Sequence, residues 1–276
     1  PALATPRWEA ALSLEFAQRD GRSLLSRRSQ RGPLAVQKTL HPEGDGVCHA
    51  LVLHPPGGIC AGDELAIDAR VGHGAHALLT TPGAGKFYRS SGGQATQHLN
   101  FRIEDGAMLE WLPQETIVFD GARATLSTRI DLAAGAAFIG WEVVCLGRTA
   151  AGERFEGGLL ATESRIGTEG KTLWLERGRI EGGSRLLVSP SGLAGQPVTA
   201  TLLATHGEQV PGLIDQLRRC AAADGICGVT CLPRLFVARY LGPSAQSARA
   251  YFVALWQILR PALIGREAVL PRIWNT

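Results

Sequence analysis

Lysine, tyrosine and methionine are nearly missing from this chain of 276 residues. There are three Tyr, one Met and three Lys, the last at 38, 86 and 171, against 25 Arg. Aromatic residues make up 6% of the chain, so platforms for stacking a base or a sugar are scarce. Charged residues reach only 19%, which points to apolar surface reserved for partners. No apolar run is long enough to span a membrane, and no secretory signal opens the sequence. The six Cys are therefore expected as reduced thiols in the cytoplasm. No G-x-S-x-G elbow occurs. Gly85-Lys86 does not complete a phosphate loop, which needs Gly at Thr80 and a hydroxyl at Phe87.

The net charge of +3 conceals a division. Residues 1–40 carry seven basic and three acidic groups, residues 41–176 ten basic and 17 acidic, and residues 234–276 six basic and one acidic. No Lys/Arg stripe is interleaved with aromatics, which excludes nucleic acid as the expected partner. An acidic middle suits cations or basic partners.

That middle is built from a repeated plan: an alternating strand, a Gly-Ala turn, an apolar strand, then a denser loop. The Gly-Ala pairs fall at 74–75, 106–107 and 135–136, spaced by 32 and 29 residues, a period that signals stacked supersecondary units. Leu12, Leu14 and Phe16 alternate ahead of them as a half-buried strand. Ser23–Ser29 and Pro33–Lys38 are short strand candidates, and Cys48–Leu53 an apolar one. Between Cys48–Leu53 and the first repeat lies His54-Pro55-Pro56-Gly57-Gly58-Ile59-Cys60-Ala61-Gly62-Asp63-Glu64. Its prolines fix φ and its glycines admit positive φ, so the loop has a set shape that delivers Asp63 and Glu64 to the next strand.

Single carboxylates interrupt otherwise apolar strands: Glu110 in 107–112, Glu142 in 138–146 and Glu176 in 171–180. Each must pair, bind a cation or line a wet channel. His73 and His76 straddle a turn that leaves their geometry open. Cys227 and Cys231 lack the further ligands of a zinc site and read as core thiols. Cys60, beside Asp63, is the thiol placed to meet a soft metal. Later in the chain, Val210, Leu213, Ile214, Leu217 and Cys220 predict a helix over 211–222, and Leu235–Leu241 reads as an apolar strand. Ala248, Phe252, Leu255, Trp256 and Leu259 predict a second helix over 245–259, kinked or ended by Pro261. Ile273 and Trp274 predict a docked terminus.

HPPGGICAGDE at 54–64, KFYRS at 86–90, LEWLPQETIVFDGA at 109–122, GWEVVCLGR at 140–148 and LRPALIGREAVLPRIWNT at 259–276 resemble, in order, the urease accessory proteins of the UreD family, called UreH in some bacteria. His54, Lys86, Tyr88, Arg89, Glu115, Asp120 and Arg148 stand in those motifs. The first 45 residues match only loosely. Cys60-Ala61 departs from an expected small apolar residue and Gly, and Cys227 from an expected aromatic.

The resemblance implies a mainly β, β-helix-like stack of two sheets with two helices near the C-terminus. It implies one UreD-type domain over 1–276: a strand stack to about residue 206, then a helix-containing part. It implies no enzyme activity. Such proteins are scaffolds that bind apo-urease on one side and UreF on another, UreF recruiting the nickel-carrying GTPase UreG. Nickel then passes through a polar tunnel to urease, so Ni²⁺ is expected in transit and no cofactor as a resident. Asp63, Glu64, Glu110, Glu142, Glu176 and Cys60 are the expected path, and the C-terminal helices and tail the expected UreF surface. Two other readings stay open: an adaptor that opens apo-urease without touching metal, and a carboxylate-dependent β-solenoid hydrolase, which the scarcity of aromatic platforms disfavours.

Overall fold

The computed structural model describes residues 8–207 and 211–275. Strands β1 (Glu9–Arg19) and β2 (Arg22–Arg31) form a hairpin, and β3 (Ala35–Val36) leads to β4 (Cys48–Leu53). Three rungs follow. The first holds β5 (Glu64–Val71), β6 (His76–Thr80) and β7 (Gly85–Phe87); the second β8 (Ala95–Ile103), β9 (Met108–Trp111) and β10 (Thr116–Val118); the third β11 (Arg123–Leu132) and β12 (Ala137–Leu146). Then come β13 (Leu159–Thr168), β14 (Lys171–Glu181), the one-turn helix α1 (Arg185–Val188), β15 (Val198–Thr205), α2 (Leu213–Arg218), β16 (Ile226–Leu232), β17 (Leu235–Gly242) and α3 (Ala245–Ile264).

The rungs stack in parallel. In the first sheet β1, β5, β8, β11 and β13 run parallel, with antiparallel β2 and β14 at its two ends. In the second, β4, β6, β9 and β12 run parallel, with antiparallel β3 at one end and β15, β17 and β16 at the other. β7 and β10 form a third, narrow strip against the distal half of β12. The Gly-Ala pairs are the corners between the two sheets. Gly74, Gly106 and Gly135 sit at φ of 68°, 65° and 69°, a conformation that a side chain resists. The following Ala N–H closes each turn onto the carbonyl three residues back, at 3.0, 3.0 and 3.2 Å.

Two cores result. The first lies between the sheets, where Leu12, Phe16, Ile67, Phe101 and Leu109 meet. The second lies outside the second sheet, where α3 covers it. Along β12 the two alternate: Phe138, Val144 and Leu146 point into the stack, and Ile139, Trp141 and Val143 point to α3. This is why the strand is apolar on both faces. Ser244 caps α3 by accepting from the Ser247 N–H at 3.2 Å, and Ala248, Phe252, Leu255, Trp256 and Leu259 are buried as their spacing predicts.

Four differences from the sequence reading have local causes. Pro261 neither ends nor breaks α3, which runs to Ile264 and closes at Gly265, φ 69°. The carbonyl that Pro261 leaves without a helical donor belongs to exposed Gln257, where water can satisfy it. Strands β13 and β16 escaped notice, since both mix polar residues into a half-buried surface. α1 is a single turn, too short to carry a period. α2 spans only Leu213–Arg218, and Val210 lies outside the described residues. The terminus is docked: Trp274 Nε1 donates to Thr80 Oγ1 at 2.9 Å, and its ring packs on Trp141 and Trp256 at 5.8 and 6.1 Å. No helix among the described residues is long and apolar enough to cross a membrane.

Candidate functional site

A cavity of about 380 Å³ opens within the stack, between the two sheets. Its walls are mostly apolar, and its polar groups come from aligned positions. On the second sheet, Glu142 of β12 lies beside Thr201 of β15, which lies beside Arg239 of β17. On the first sheet, Thr128 of β11 lies beside Ser164 of β13, which lies beside Glu176 of β14. Glu142, Thr201, Thr128, Ser164 and Glu176 all line the cavity, and His54 lines it from the Pro-Gly loop. Alternation along the strands puts them there: each shares its face with residues of the inner core, such as Leu203 on β15 and Ile130 on β11.

Glu142 and Glu176 differ in their surroundings. Burial pushes the Glu142 carboxyl up to about 7, and the neighbouring Glu176 charge adds to the shift. Near neutral pH Glu142 therefore holds its proton about half the time. Glu176 has a partner: Arg239 Nη1 stands 2.8 Å from Oε1, and the same nitrogen donates to Thr201 Oγ1 at 2.9 Å. The Arg239 guanidinium also lies over the Trp174 ring at 5.5 Å. Burial lowers the pKa of His54, against the pull of Asp63, so its imidazole is neutral at pH 7. Two carboxylates, a neutral imidazole and hydroxyls are donors that suit a borderline cation. Among the described residues, no three His, Cys, Asp or Glu side chains converge as a metal cage.

Glu110 is not in this group. It projects from β9 through the opposite face of the second sheet, toward α3, and is wholly buried there. His76 Nε2 donates to it at 2.7 Å, Trp256 Nε1 at 2.6 Å and Arg260 Nε to both oxygens at 3.1 Å. Burial alone would raise its pKa; the His76 bond and the charges of His76 and Arg260 overcome that and hold it below the usual carboxylate range. Arg260 Nη1 reaches Glu43 at 2.6 Å, and Glu43 accepts from His49 at 2.6 Å. Of the sequence alternatives for Glu110, pairing is the one realised. His73 is exposed near Asp105, away from His76, so the two share no ligand.

Asp63 is buried and serves the backbone. Its Oδ2 accepts from the Cys60 N–H at 2.8 Å and its Oδ1 from the Trp8 N–H at 3.2 Å. That fixes the Pro-Gly loop as its composition predicts, but turns the carboxylate away from the cavity lining. Glu64 and Cys60 are exposed at the head of β5 and in the loop. Lys86 touches the cavity from β7. Tyr88 stacks edge-on against Phe119 at 4.9 Å. Arg89, Asp120 and Arg148 follow the last strands of successive rungs and meet on the surface. Arg89 pairs with Asp120 at 2.5 Å, Asp120 accepts from the Glu156 and Gly157 N–H groups, and Arg148 grips Glu153 at 2.6 and 2.9 Å. These motif residues tie loops together. Glu115 is half-buried, 3.8 Å from Arg249.

Arg239, Thr201, Glu43, His49 and Arg260 were not singled out from the sequence. Arg239 was visible as the one charge in Leu235–Leu241, and Arg260 as a charge one helical turn after Trp256.

The model of the family described as UreD urease accessory protein matches residues 9–275. Curated proteins named urease accessory protein UreD are similar over almost the whole length. The one from Azoarcus sp. (strain BH72) is 54% identical over 273 residues, covering 99% of this chain and 96% of its own. That from Dechloromonas aromatica (strain RCB) is 52% identical over 276 residues, covering 99% and 96%. That from Methylobacillus flagellatus is 45% identical over 276 residues, covering 100% and 97%.

Proposed function

Since the chain belongs to the UreD family of urease accessory proteins, we propose that it is a scaffold that holds apo-urease and passes Ni²⁺ to it through the interior cavity, with Glu142 and Glu176 as successive ligands. The observation that carries this reading is the pair itself: two carboxylates from different sheets line one cavity, and the charge of one raises the pKa of the other. A conduit needs weak sites, because each must release what it binds. A pair of carboxylates with hydroxyls nearby is weak in that sense, and binding there displaces the Glu142 proton. Of the six path residues expected from the sequence, Glu142 and Glu176 carry the path in this proposal. Asp63 shapes the loop beside it, and Glu110 fastens α3.

Partners follow from what the stack leaves outside. α3 and the terminal segment form a unit of their own on the second sheet, rich in Arg, and are the surface proposed for UreF. UreG is proposed to reach the chain through UreF. The setting is proposed to be the cytoplasm, where free thiols persist.

The test is reconstitution of urease activation with urease, UreF and UreG. Glu142→Gln and Glu176→Gln are expected to keep the fold and to co-purify with urease and UreF, while activation falls at least about tenfold. Activation at the wild-type level in both would end the conduit reading. An adaptor that opens apo-urease without metal is the second reading, favoured by the absence of a three-ligand cage among the described residues. Equilibrium dialysis separates the two: no Ni²⁺ bound by the isolated chain at tens of micromolar supports the adaptor.

A further inference from the structure

Arg239 projects from β17 beside Thr201 and lies outside the cavity lining, against two residues of it. Its side chain is 46% exposed and that of Glu176 36%, yet its guanidinium bonds one cavity-lining group on each sheet. It binds Glu176 on the first sheet and Thr201 on the second, and it rests on Trp174 of the first. β14 and β17 are not paired with each other, so at this end the sheets are joined across the cavity by a side chain rather than by a ladder. A cation that binds Glu176 must compete with a fixed positive charge.

We propose that Arg239 is a gate residue of the cavity: it holds Glu176 in the closed state, and a divalent cation opens the passage by displacing it. This rests on the cavity being the cation path. Three features support it. The Arg239–Glu176 pair is exposed, so it is worth at most about 1 kcal/mol and is readily exchanged for a cation. The guanidinium keeps its charge at every physiological pH, so the gate answers to a competing cation and not to a proton. Thr201 and Trp174 flank the guanidinium, so after the cation leaves it needs only a short return to Glu176.

The experiment uses the full chain carrying Thr128→Cys, a half-buried reporter on the cavity wall, labelled by a small methanethiosulfonate reagent and read by peptide mapping. Arg239→Gln is compared with Arg177→Gln, which removes an equal charge from an ion pair with Glu163 on the other face of β14. Ni²⁺ binding is measured on the same proteins and on Glu142→Gln and Glu176→Gln. The gate predicts that Arg239→Gln speeds labelling of the reporter and tightens Ni²⁺ binding at least about threefold, that Arg177→Gln does neither, and that Ni²⁺ itself speeds labelling in the parent. Unchanged labelling and affinity in Arg239→Gln would overturn the gate, while a loss of binding in the carboxylate variants leaves the path intact. Wild-type binding in both carboxylate variants would overturn the path and, with it, displacement by a cation.

Discussion

Arg260 Nε lies 3.1 Å from each oxygen of Glu110, joining residues 150 apart in the sequence and α3 to β9. Neither group reaches solvent. Bare burial of either charge would cost several kcal/mol, so the pair is tolerated only because its remaining valences are filled. His76 and Trp256 complete Glu110, and Glu43 and the Glu267 carbonyl complete Arg260. One knot thus gathers the loop before β4, two rungs and the last helix.

Cutting this knot on one side should be severe. Arg260→Ala leaves Glu110 buried without its guanidinium, held by His76 and Trp256 alone, and is expected to lower the unfolding free energy by about 3–5 kcal/mol. Urea unfolding of the full chain checks it, and a loss under about 1 kcal/mol would show that the pair is not what secures α3. The double variant Arg260→Met with Glu110→Leu should recover much of the loss, since an apolar pair has no charge to leave stranded.

Acid should act through the same residues. The pKa values of Glu43 and Glu110 are lowered from the ordinary glutamate value of 4.5, burial being outweighed by the His and Arg partners. A lowered folded-state pKa means stability that is complete above the unfolded value and drains away as pH falls through the folded one. Unfolding free energy is therefore expected to fall steeply below about pH 4.5. Glu110→Gln should be less stable at pH 7 and flatter in that acid range when both are measured by denaturant titration.

Glu142 has the opposite sign. Its folded-state pKa is raised to about 7, so the folded protein binds the proton more tightly than the unfolded chain. The stability it contributes is complete below the ordinary glutamate value of 4.5 and is lost as pH rises toward 7 and beyond. Glu142→Gln removes the titration. Relative to wild type it should gain on the order of 2 kcal/mol between pH 5 and pH 8, and an unchanged difference across that range would show that burial and the Glu176 charge do not raise the Glu142 pKa. Ni²⁺ affinity of the wild type should rise over the same interval, because the cation and the proton compete for one carboxylate.

Asp63→Ala tests the loop. Losing acceptors for the Cys60 and Trp8 N–H groups should cost about 1–2 kcal/mol, with hydrogen exchange of residues 56–63 rising well above that of β5. Equal exchange in variant and wild type would show that the prolines and glycines fix the loop unaided.

Much of this architecture was legible because it obeys short-range rules. The Gly-Ala corners announce themselves through the positive φ at Gly74, Gly106 and Gly135, and the rungs through alternation between them. The α3 stripe from Ala248 to Leu259 is likewise a matter of period. The direction in which a carboxylate points is different. Glu110 and Glu142 look alike in the sequence, each a lone acid in an apolar strand covered on both sides. One faces α3 and the other the cavity, and only the register of the whole strand distinguishes them. Arg239 and Arg260 stand out as charges among apolar residues, but their partners are 63 and 150 residues away, and nothing local marks a pairing of that span.

The antiparallel strands β2 and β14 have a geometric meaning beyond edge protection. Parallel rungs can in principle be added without limit, and reversing the chain at both ends halts the series. Among the described residues the first sheet is therefore held to seven strands, or roughly 30 Å from β2 to β14 at about 4.8 Å per strand. Two proteins bound at opposite ends would stand a set distance apart, whatever the sequence of either. The number of rungs thus sets a fixed span, and inserting or deleting one rung would change it by a single strand width.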